Sequence, residues 1–235
     1  MNILVTGSTR GIGKAIAEEC LKSGMNVFAV GRNEELLMCY KNYCICDLAT
    51  TDGMQILGEY IQKNKIDVLI NNAGEYFYTP ALEGFDLDKL EHITRLNFEA
   101  PLYLTSKAVP YMKEKGFGRI INIGSISGVM GEANASLYSG TKSGLIGATK
   151  ALALELAEYG ITVNTINPGW VDTDLGNSSC EDSEFTKEEV LDCIPQRRFV
   201  APSEIAGMVK YLISEEAKGV TGQSINLCAG LSVGY

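Results

Sequence analysis

The sequence predicts an α/β fold, in which a doubly wound parallel sheet of about seven strands forms a single domain over residues 1–235. Short β-branched runs alternate along the chain with stretches whose apolar residues recur at helical spacing. Several of the runs are apolar at successive positions, as expected of strands that helices cover on both faces. Because crossovers between parallel strands are right-handed, ligands of such a sheet bind outside the carboxyl ends of the strands.

The elements follow one another in a regular order. The expected strands cover residues 2–6, 26–30, 43–46, 68–71, 119–123, 162–166 and 224–227. Helical periodicity covers residues 12–20, 36–40, 54–61, 87–112, 145–156 and 205–213. The segment 174–202 breaks this rhythm, with a Gly-Asn-Ser-Ser stretch and the acidic residues Glu181, Asp182, Glu184, Glu188 and Glu189. We expect it to be a substrate lid, the alternative being a solvated acidic loop.

Composition and charge exclude several classes of function. The net charge is −9, and no run of basic residues is longer than Arg197-Arg198, so nucleic acid and anionic membranes are poor partners. No apolar stretch reaches the length of about 18 residues needed to span a bilayer. The seven cysteines and the absence of a signal-like start indicate a reduced, cytoplasmic protein.

The single histidine limits the available chemistry further. His92 lies in a helical pattern without a flanking nucleophile signature, which disfavours Ser-His-Asp and Cys-His hydrolysis. Cys44 and Cys46 are two residues apart in an expected strand, with Cys39 nearby, but a metal site would need more ligands. We therefore expect no metal site.

A glycine-rich turn joins the first strand to the first helix. In the segment 6–13 the glycines are Gly7, Gly11 and Gly13, in the spacing G-x-x-x-G-x-G. Glycines here allow a tight turn and close approach of a phosphate, and the N–H groups of the helix start attract an anion. The position of this turn predicts dinucleotide binding rather than a purely structural turn.

The end of the second strand indicates which dinucleotide is bound. An NAD site would place a carboxylate there for the ribose 2′-hydroxyl, whereas this chain has Arg32, which can clamp a 2′-phosphate. Arg10 in the glycine turn can add a second positive charge. NADP(H) is therefore favoured over NAD(H). The alternative is a pair of surface arginines, with Glu34 and Glu35 neutralising Arg32.

Two further strand ends carry polar residues. Asp47 follows the third strand, where its carboxylate could accept a hydrogen bond from an adenine amino group or cap the turn that follows. Asn71-Asn72-Ala73-Gly74 ends the fourth strand, where small residues let a cofactor lie close and the amides can tie neighbouring strand ends together.

Tyr138 and Lys142 are four residues apart at the start of a long helical pattern, so they share one helix face. An ammonium about 5 Å from a phenolate, at an effective dielectric of about 20, stabilises the phenolate by roughly 3 kcal/mol. This predicts a pKa of roughly 7.5–8 for Tyr138, low enough for proton exchange with a carbonyl or alcohol oxygen. Ser125, at the end of the fifth strand, could donate to the same oxygen.

These residues together resemble the motifs of the short-chain dehydrogenase/reductase superfamily, in its compact single-domain branch, from residue 2 to about residue 230. The resemblance implies a Rossmann-like fold and a catalytic set of Asn97, Ser125, Tyr138 and Lys142. It implies that Tyr138 is the general acid, that Lys142 lowers its pKa and holds the nicotinamide ribose, that Ser125 polarises the carbonyl, and that Asn97 orders a water relay. The expected cofactor-binding residues are Gly7, Thr9, Arg10, Gly11, Ile12, Gly13, Arg32, Asp47, Leu48, Asn72, Ala73, Gly74, Tyr138, Lys142, Pro168, Gly169, Val171 and Thr173.

Several segments look most like bacterial 3-oxoacyl-acyl-carrier-protein reductases, and this resemblance implies a 3-oxoacyl thioester as substrate, possibly delivered by acyl carrier protein. Enoyl reductases of the superfamily would place the tyrosine at Ala135 instead. Gly116 and Tyr159 stand where the ketoreductases commonly carry arginine, and Cys228-Ala229-Gly230 departs from their Asp-Gly-Gly. The basic residues that could replace those arginines are Lys107, Lys113, Lys115 and Arg119.

Two other functions remain open. One is a reductase or dehydrogenase of a sugar, steroid or specialised metabolite, and the other is an NADP-binding regulator without catalysis. The helical patterns near residues 88–113 and 138–159 carry more apolar residues than a one-sided helix needs, which predicts a homotetramer or homodimer. The residues concerned are Tyr103, Leu104, Val109, Tyr111, Leu152, Leu154 and Leu156.

Overall fold

The computed structural model describes residues 1–78, 86–174, 176 and 186–233, and its centre is a parallel seven-stranded sheet of order β3-β2-β1-β4-β5-β6-β7. The strands are β1 (Asn2–Thr6), β2 (Asn26–Gly31), β3 (Asn42–Ile45), β4 (Val68–Asn71), β5 (Gly118–Ile123), β6 (Ile161–Pro168) and β7 (Ser224–Leu227). All seven expected strands are confirmed, with small shifts at their ends, and so is the doubly wound α/β fold class.

Helices cover both faces of the sheet. They are α1 (Gly11–Lys22), α2 (Glu34–Leu37), α3 (Thr51–Asn64), α4 (Leu87–Thr94), α5 (Ala100–Lys115), α6 (Ser127–Met130), α7 (Ser136–Leu156), α8 (Lys187–Cys193) and α9 (Pro202–Leu212). One apolar core joins α1 and α9 to one face, and a second joins α3, α5 and α7 to the other. Ile3 belongs to the first core and Leu4 to the second, because successive side chains of a strand point to opposite faces.

A π-helical turn interrupts the long helix that the sequence predicts over residues 87–112. α4 runs into a π-helix at Arg95–Glu99, and α5 begins directly after it. The expected helical segment is therefore confirmed in its extent, and the π turn inside it is a feature that the sequence did not predict. A π turn holds an extra residue and often marks a functional site, and this one contains the buried Asn97.

The sheet order reverses between β1 and β4, so the crevice for a ligand opens at their carboxyl ends. Part of the expected lid reaches this crevice as α8, which starts with a capping box between Thr186 and Glu189. Residues 175 and 177–185, including Glu181, Asp182 and Glu184, lie outside the described residues, so the lid remains a prediction. Within the described ranges, no helix combines the length and apolarity needed to cross a membrane.

Candidate active site

One cavity of about 860 Å³ lies at the carboxyl ends of the strands, a size typical of ligand-binding sites. It brings together nearly all of the expected site residues, although they are spread over the whole chain. Those that line it are Gly7, Thr9, Arg10, Gly11, Ile12, Arg32, Asp47, Leu48, Asn72, Ala73, Gly74, Ser125, Tyr138, Lys142, Pro168, Gly169, Val171 and Thr173. Gly13 and Asn97 lie behind this lining.

The glycine turn forms one end of the cavity. Gly7 and Gly11 have φ angles of 66° and 53°, in the left-handed region that favours glycine. α1 begins after Arg10 without a side-chain cap, and its first turn contains no acidic residue. The first N–H groups of the helix therefore have no acceptor within the helix and suit a bound anion.

Gly13 has a packing role instead of lining the cavity. A Cβ at this position would lie 2.2 Å from the carbonyl oxygen of Gly7 and 2.4 Å from Nδ2 of Asn72. Only glycine therefore lets α1 pack this closely against the turn. Gly13 therefore shapes the turn from behind the cavity lining, and its contact with a cofactor stays a prediction.

Asn72 ties the ends of β1 and β4 together, as expected from the sequence. Its Nδ2 donates to the carbonyl oxygen of Thr6 at 2.8 Å, and the Thr6 hydroxyl accepts from the backbone N–H groups of Asn72 and Ala73. These bonds hold the switch point of the sheet in a fixed shape. Gly74 follows, and a Cβ there would come within 3.0 Å of Asn97 Oδ1 and 3.3 Å of Lys142 Nζ.

Beside the glycine turn, at the end of β2, Arg32 faces Asp47. Nη1 of Arg32 lies 3.7 Å from Oδ2 of Asp47, and both side chains are well exposed. Oδ1 of Asp47 accepts from the backbone N–H of Ala49 at 3.0 Å, so this carboxylate caps the following turn and also lines the cavity. Arg32 keeps donors free for a ligand, because the guanidinium has five N–H groups.

Tyr138 and Lys142 share one face of α7, as their spacing predicts. Lys142 is buried, and its Nζ donates to the carbonyl oxygen of Ile123 at 2.9 Å and lies 5.7 Å from the centre of the Tyr138 ring. The ammonium is therefore fixed between the end of β5 and the phenol. This places a cation and a proton donor side by side at the floor of the cavity.

The pKa of Tyr138 differs from the expectation. Burial is the main reason that it is raised to about 12; a hydrogen bond with Ser125 opposes this rise, and the charge of Glu132 adds to it. Burial also lowers the pKa of Lys142 to about 8. The prediction of an acidic phenol was wrong for the protein alone, because it counted the attraction between the two groups and omitted the cost of removing both charges from water.

Asn97 is held by the backbone that follows β4. Its Oδ1 accepts from the N–H of Glu75 at 3.0 Å, and its Nδ2 donates to the carbonyl oxygen of Glu75 at 2.9 Å. The side chain of Glu75 in turn meets Nε2 of His92 at 2.9 Å. Asn97 therefore positions the strand end beside Lys142, and its role in a water relay stays a prediction.

The structure adds polar residues that the sequence interpretation missed. Ser127 lies between Ser125 and Glu132, and Tyr76 reaches Glu132 from the loop after β4. Further lining comes from Tyr78, Asn134 and the α8 residues Glu189, Val190, Asp192 and Cys193. No motif identifies these residues: Ser127 and Glu132 follow Ser125 closely in the chain, whereas Tyr76, Tyr78 and α8 reach the cavity from distant segments. Over the residues described, no group of histidine, cysteine and carboxylate side chains could hold a metal ion.

The basic residues considered for carrier-protein docking lie away from the cavity. Arg119 is the second residue of β5 and is buried, and Nζ of Lys115 lies 2.5 Å from Oδ1 of the buried Asp67. The start of β5 and the end of α5 are at the amino edge of the sheet, opposite the cavity. Lys115 and Arg119 therefore cannot form a docking rim around the mouth of the cavity.

Comparison with known proteins agrees with this geometry. The family model described as enoyl-(acyl carrier protein) reductase matches residues 7–232. The 3-oxoacyl-acyl-carrier-protein reductase FabG of Rickettsia conorii is 36% identical over 235 residues, which cover 97% of this chain and 95% of the relative.

Two solved structures are similar over nearly their whole length. The actinorhodin polyketide ketoreductase with NADPH has a TM-score of 0.92 and 36% identity, covering 100% of this chain and 97% of that one. YwfH, an NADPH-dependent reductase involved in bacilysin biosynthesis, has a TM-score of 0.90 and 27% identity, covering 98% and 97%. With its parallel sheet, its glycine turn and Tyr138 and Lys142 in one cavity, the chain belongs to the short-chain dehydrogenase/reductase family of oxidoreductases.

Proposed function

We propose that the protein is an NADPH-dependent ketoreductase whose substrate is a 3-oxoacyl thioester. The observation that carries the proposal is the shared cavity of Ser125, Tyr138 and Lys142 with the uncapped start of α1. This arrangement joins an anion site to a proton donor across one continuous crevice. Bound NADPH would supply the hydride that reduces the carbonyl carbon.

The residues present fit such a dinucleotide. The free N–H groups at the start of α1 suit its pyrophosphate, and Arg10 and Arg32 suit a 2′-phosphate. Ala73 and Gly74 leave room beside Lys142 for the nicotinamide ribose, because a larger side chain at Gly74 would press on Lys142. NADPH is named for the two structural neighbours, and the arginines favour the same cofactor here.

Each catalytic side chain has a distinct task in this proposal. Tyr138 gives its proton to the substrate oxygen as the carbonyl carbon is reduced. Ser125 stabilises the charge that develops on that oxygen. Lys142 stabilises the phenolate left on Tyr138, and Asn97 holds the strand end beside Lys142.

The thioester is favoured as substrate by the similarity to FabG over nearly the whole chain. A ketone of specialised metabolism is the second candidate, since polyketide ketoreductase and YwfH share the fold closely. The acidic residues around the cavity, including Glu132, Glu189 and Asp192, favour a thioester that enters without an acidic carrier protein. A regulator without catalysis would have no need for the buried, pKa-shifted Lys142.

A panel assay tests the proposal by following NADPH absorbance with a free acetoacetyl thioester, the same acyl group on carrier protein, an enoyl thioester and small cyclic ketones. We expect turnover of the free thioester above that of the cyclic ketones and no turnover of the enoyl compound. Inactivity toward every 3-oxoacyl thioester would overturn the substrate. Wild-type turnover by Tyr138→Phe would overturn the catalytic assignment.

A further inference from the structure

A chain of hydrogen bonds links Ser125 to a carboxylate at the edge of the cavity. Oγ of Ser125 donates to Oγ of Ser127 at 3.0 Å, and Oγ of Ser127 donates to Oε2 of Glu132 at 2.5 Å. The backbone N–H of Ser127 also donates to Oγ of Ser125 at 3.1 Å. Both serines are buried, and Glu132 is half-buried.

Glu132 is fixed at both of its oxygens. Oε1 accepts from the hydroxyl of Tyr76 at 2.8 Å, and the Tyr76 ring packs edge-on against Tyr138 with 5.1 Å between ring centres. The backbone N–H of Glu132 donates to Oγ of Ser139 in the first turn of α7. The carboxylate therefore has one stable position, set by three different segments of the chain.

The number of available protons determines the direction in which the hydroxyl of Ser125 donates. A hydroxyl has one proton, and a carboxylate only accepts. While Glu132 accepts from Ser127, Ser127 has no proton left for Ser125, and Ser125 places its own proton on Ser127. A substrate carbonyl must then compete with Ser127, as well as with the phenolic oxygen of Tyr138, for the proton of Ser125.

A neutral group at residue 132 reverses the direction of these hydrogen bonds. A protonated carboxyl or an amide can donate to Ser127, which then donates to Ser125 and leaves the proton of Ser125 free for the substrate oxygen. We propose that Glu132 is a positioning residue that sets, through Ser127, whether Ser125 donates its proton to the substrate or away from it. The proposal rests on the proposed function, in that Ser125 must meet the reacting oxygen.

Other titratable groups face the same cavity, and their effects must be separated from that of Glu132. They are Glu75, Tyr76 and Tyr78 after β4, Tyr138 and Lys142 on α7, Asp174, the α8 residues Glu189, Asp192 and Cys193, and Arg10, Arg32, Cys46 and Asp47 after the first three strands. A change of charge at any of them acts through space. An effect of Glu132 through the hydroxyl chain requires Ser127, and this requirement distinguishes the two routes.

The test measures kcat/KM for reduction of one neutral ketone by NADPH across the pH range, in wild type, Glu132→Gln, Ser127→Ala and the double variant. At neutral pH the kcat/KM of Glu132→Gln should exceed that of wild type by about fivefold, a factor that corresponds to roughly one neutral hydrogen bond. In acid the two values should converge. Ser127→Ala should show the same gain. The double variant should then differ from Ser127→Ala by less than twofold.

Two results would overturn the inference. One is a pair of kcat/KM profiles, for Glu132→Gln and wild type, that run parallel at every pH. The other is an equal change in kcat/KM on Glu132→Gln in the presence and in the absence of the Ser127 hydroxyl. Thermal melting and NADPH fluorescence verify folding, and if Glu132→Gln does not fold, an unchanged profile of Ser127→Ala overturns the inference alone. Ser125→Ala separates this from the proposed function. If it retains wild-type turnover, the assignment of Ser125 to the substrate oxygen fails, whereas an inactive Ser125→Ala beside parallel profiles removes only the role of Glu132.

Discussion

The buried ammonium of Lys142 donates a hydrogen bond to the carbonyl oxygen of Ile123 at 2.9 Å. This bond anchors the cation at the end of β5, beside the phenol of Tyr138. Because burial removes the ammonium from water, its pKa falls from the usual 10.5 to about 8. The charge on which the proposed chemistry depends can therefore be lost at mildly alkaline pH.

The first prediction concerns activity against pH. The value of kcat/KM for ketone reduction, which reports the free enzyme, should fall as the pH rises above about 8, where Lys142 loses its proton. Lys142→Arg should move this fall to higher pH, since a guanidinium stays charged. Initial rates with NADPH would check both, and an alkaline fall that Lys142→Arg leaves in place would assign it to another group.

The second prediction concerns stability. The folded pKa of Lys142, about 8, is below its unfolded value of 10.5, so the unfolded chain binds more protons between these values and stability rises with pH there. The buried ammonium of Lys142 destabilises the folded protein fully below pH 8, and this effect has disappeared above about pH 10.5. From pH 7 to 9.5 the free energy of unfolding of wild type should gain about 2 kcal/mol relative to Lys142→Met. Urea unfolding at the two pH values measures this difference. An equal change in the free energy of unfolding with pH for wild type and Lys142→Met would contradict the prediction.

The third prediction concerns the choice of cofactor. Arg32→Asp should weaken NADPH binding by tenfold or more, since charge-assisted hydrogen bonds to a 2′-phosphate are worth roughly 1.5–3 kcal/mol, and should spare NADH. Lys41→Asp is the matched control, because Lys41 is exposed and is not among the residues that line the cavity. Fluorescence titration with both cofactors checks the outcome. An equal loss for NADPH and NADH would show that Arg32 does not contact the 2′-phosphate.

The fourth prediction concerns assembly. Leu154 on α7 is 84% exposed, which is unusual for leucine and fits the expected dimer or tetramer contact. Leu104 and Leu156, also expected at that contact, belong instead to the core of the subunit. Leu154→Glu should lower the mass measured by light scattering, while Tyr211→Glu, on the opposite side of the sheet, should not. A monomeric wild type would refute the expectation.

The sequence alone predicted the fold, because its information is periodic and local. Successive apolar residues mark strands covered on both faces, and β1 shows why, since Ile3 and Leu4 belong to different cores. Glycines at the first turn and the four-residue spacing of Tyr138 and Lys142 are equally local signals. Because the strands are parallel, the motifs that follow them all lie at the carboxyl edge of the sheet.

Only the tertiary structure decided properties that depend on burial and on distant neighbours. The pKa of Tyr138 rises because its surroundings exclude water, which spacing along a helix cannot express. The hydrogen bonds from Tyr76 to Glu132 and from Glu75 to Asn97 likewise join segments that share no sequence pattern. Periodicity specifies which face of an element is buried, whereas desolvation and hydrogen-bond direction are fixed only when the elements pack together.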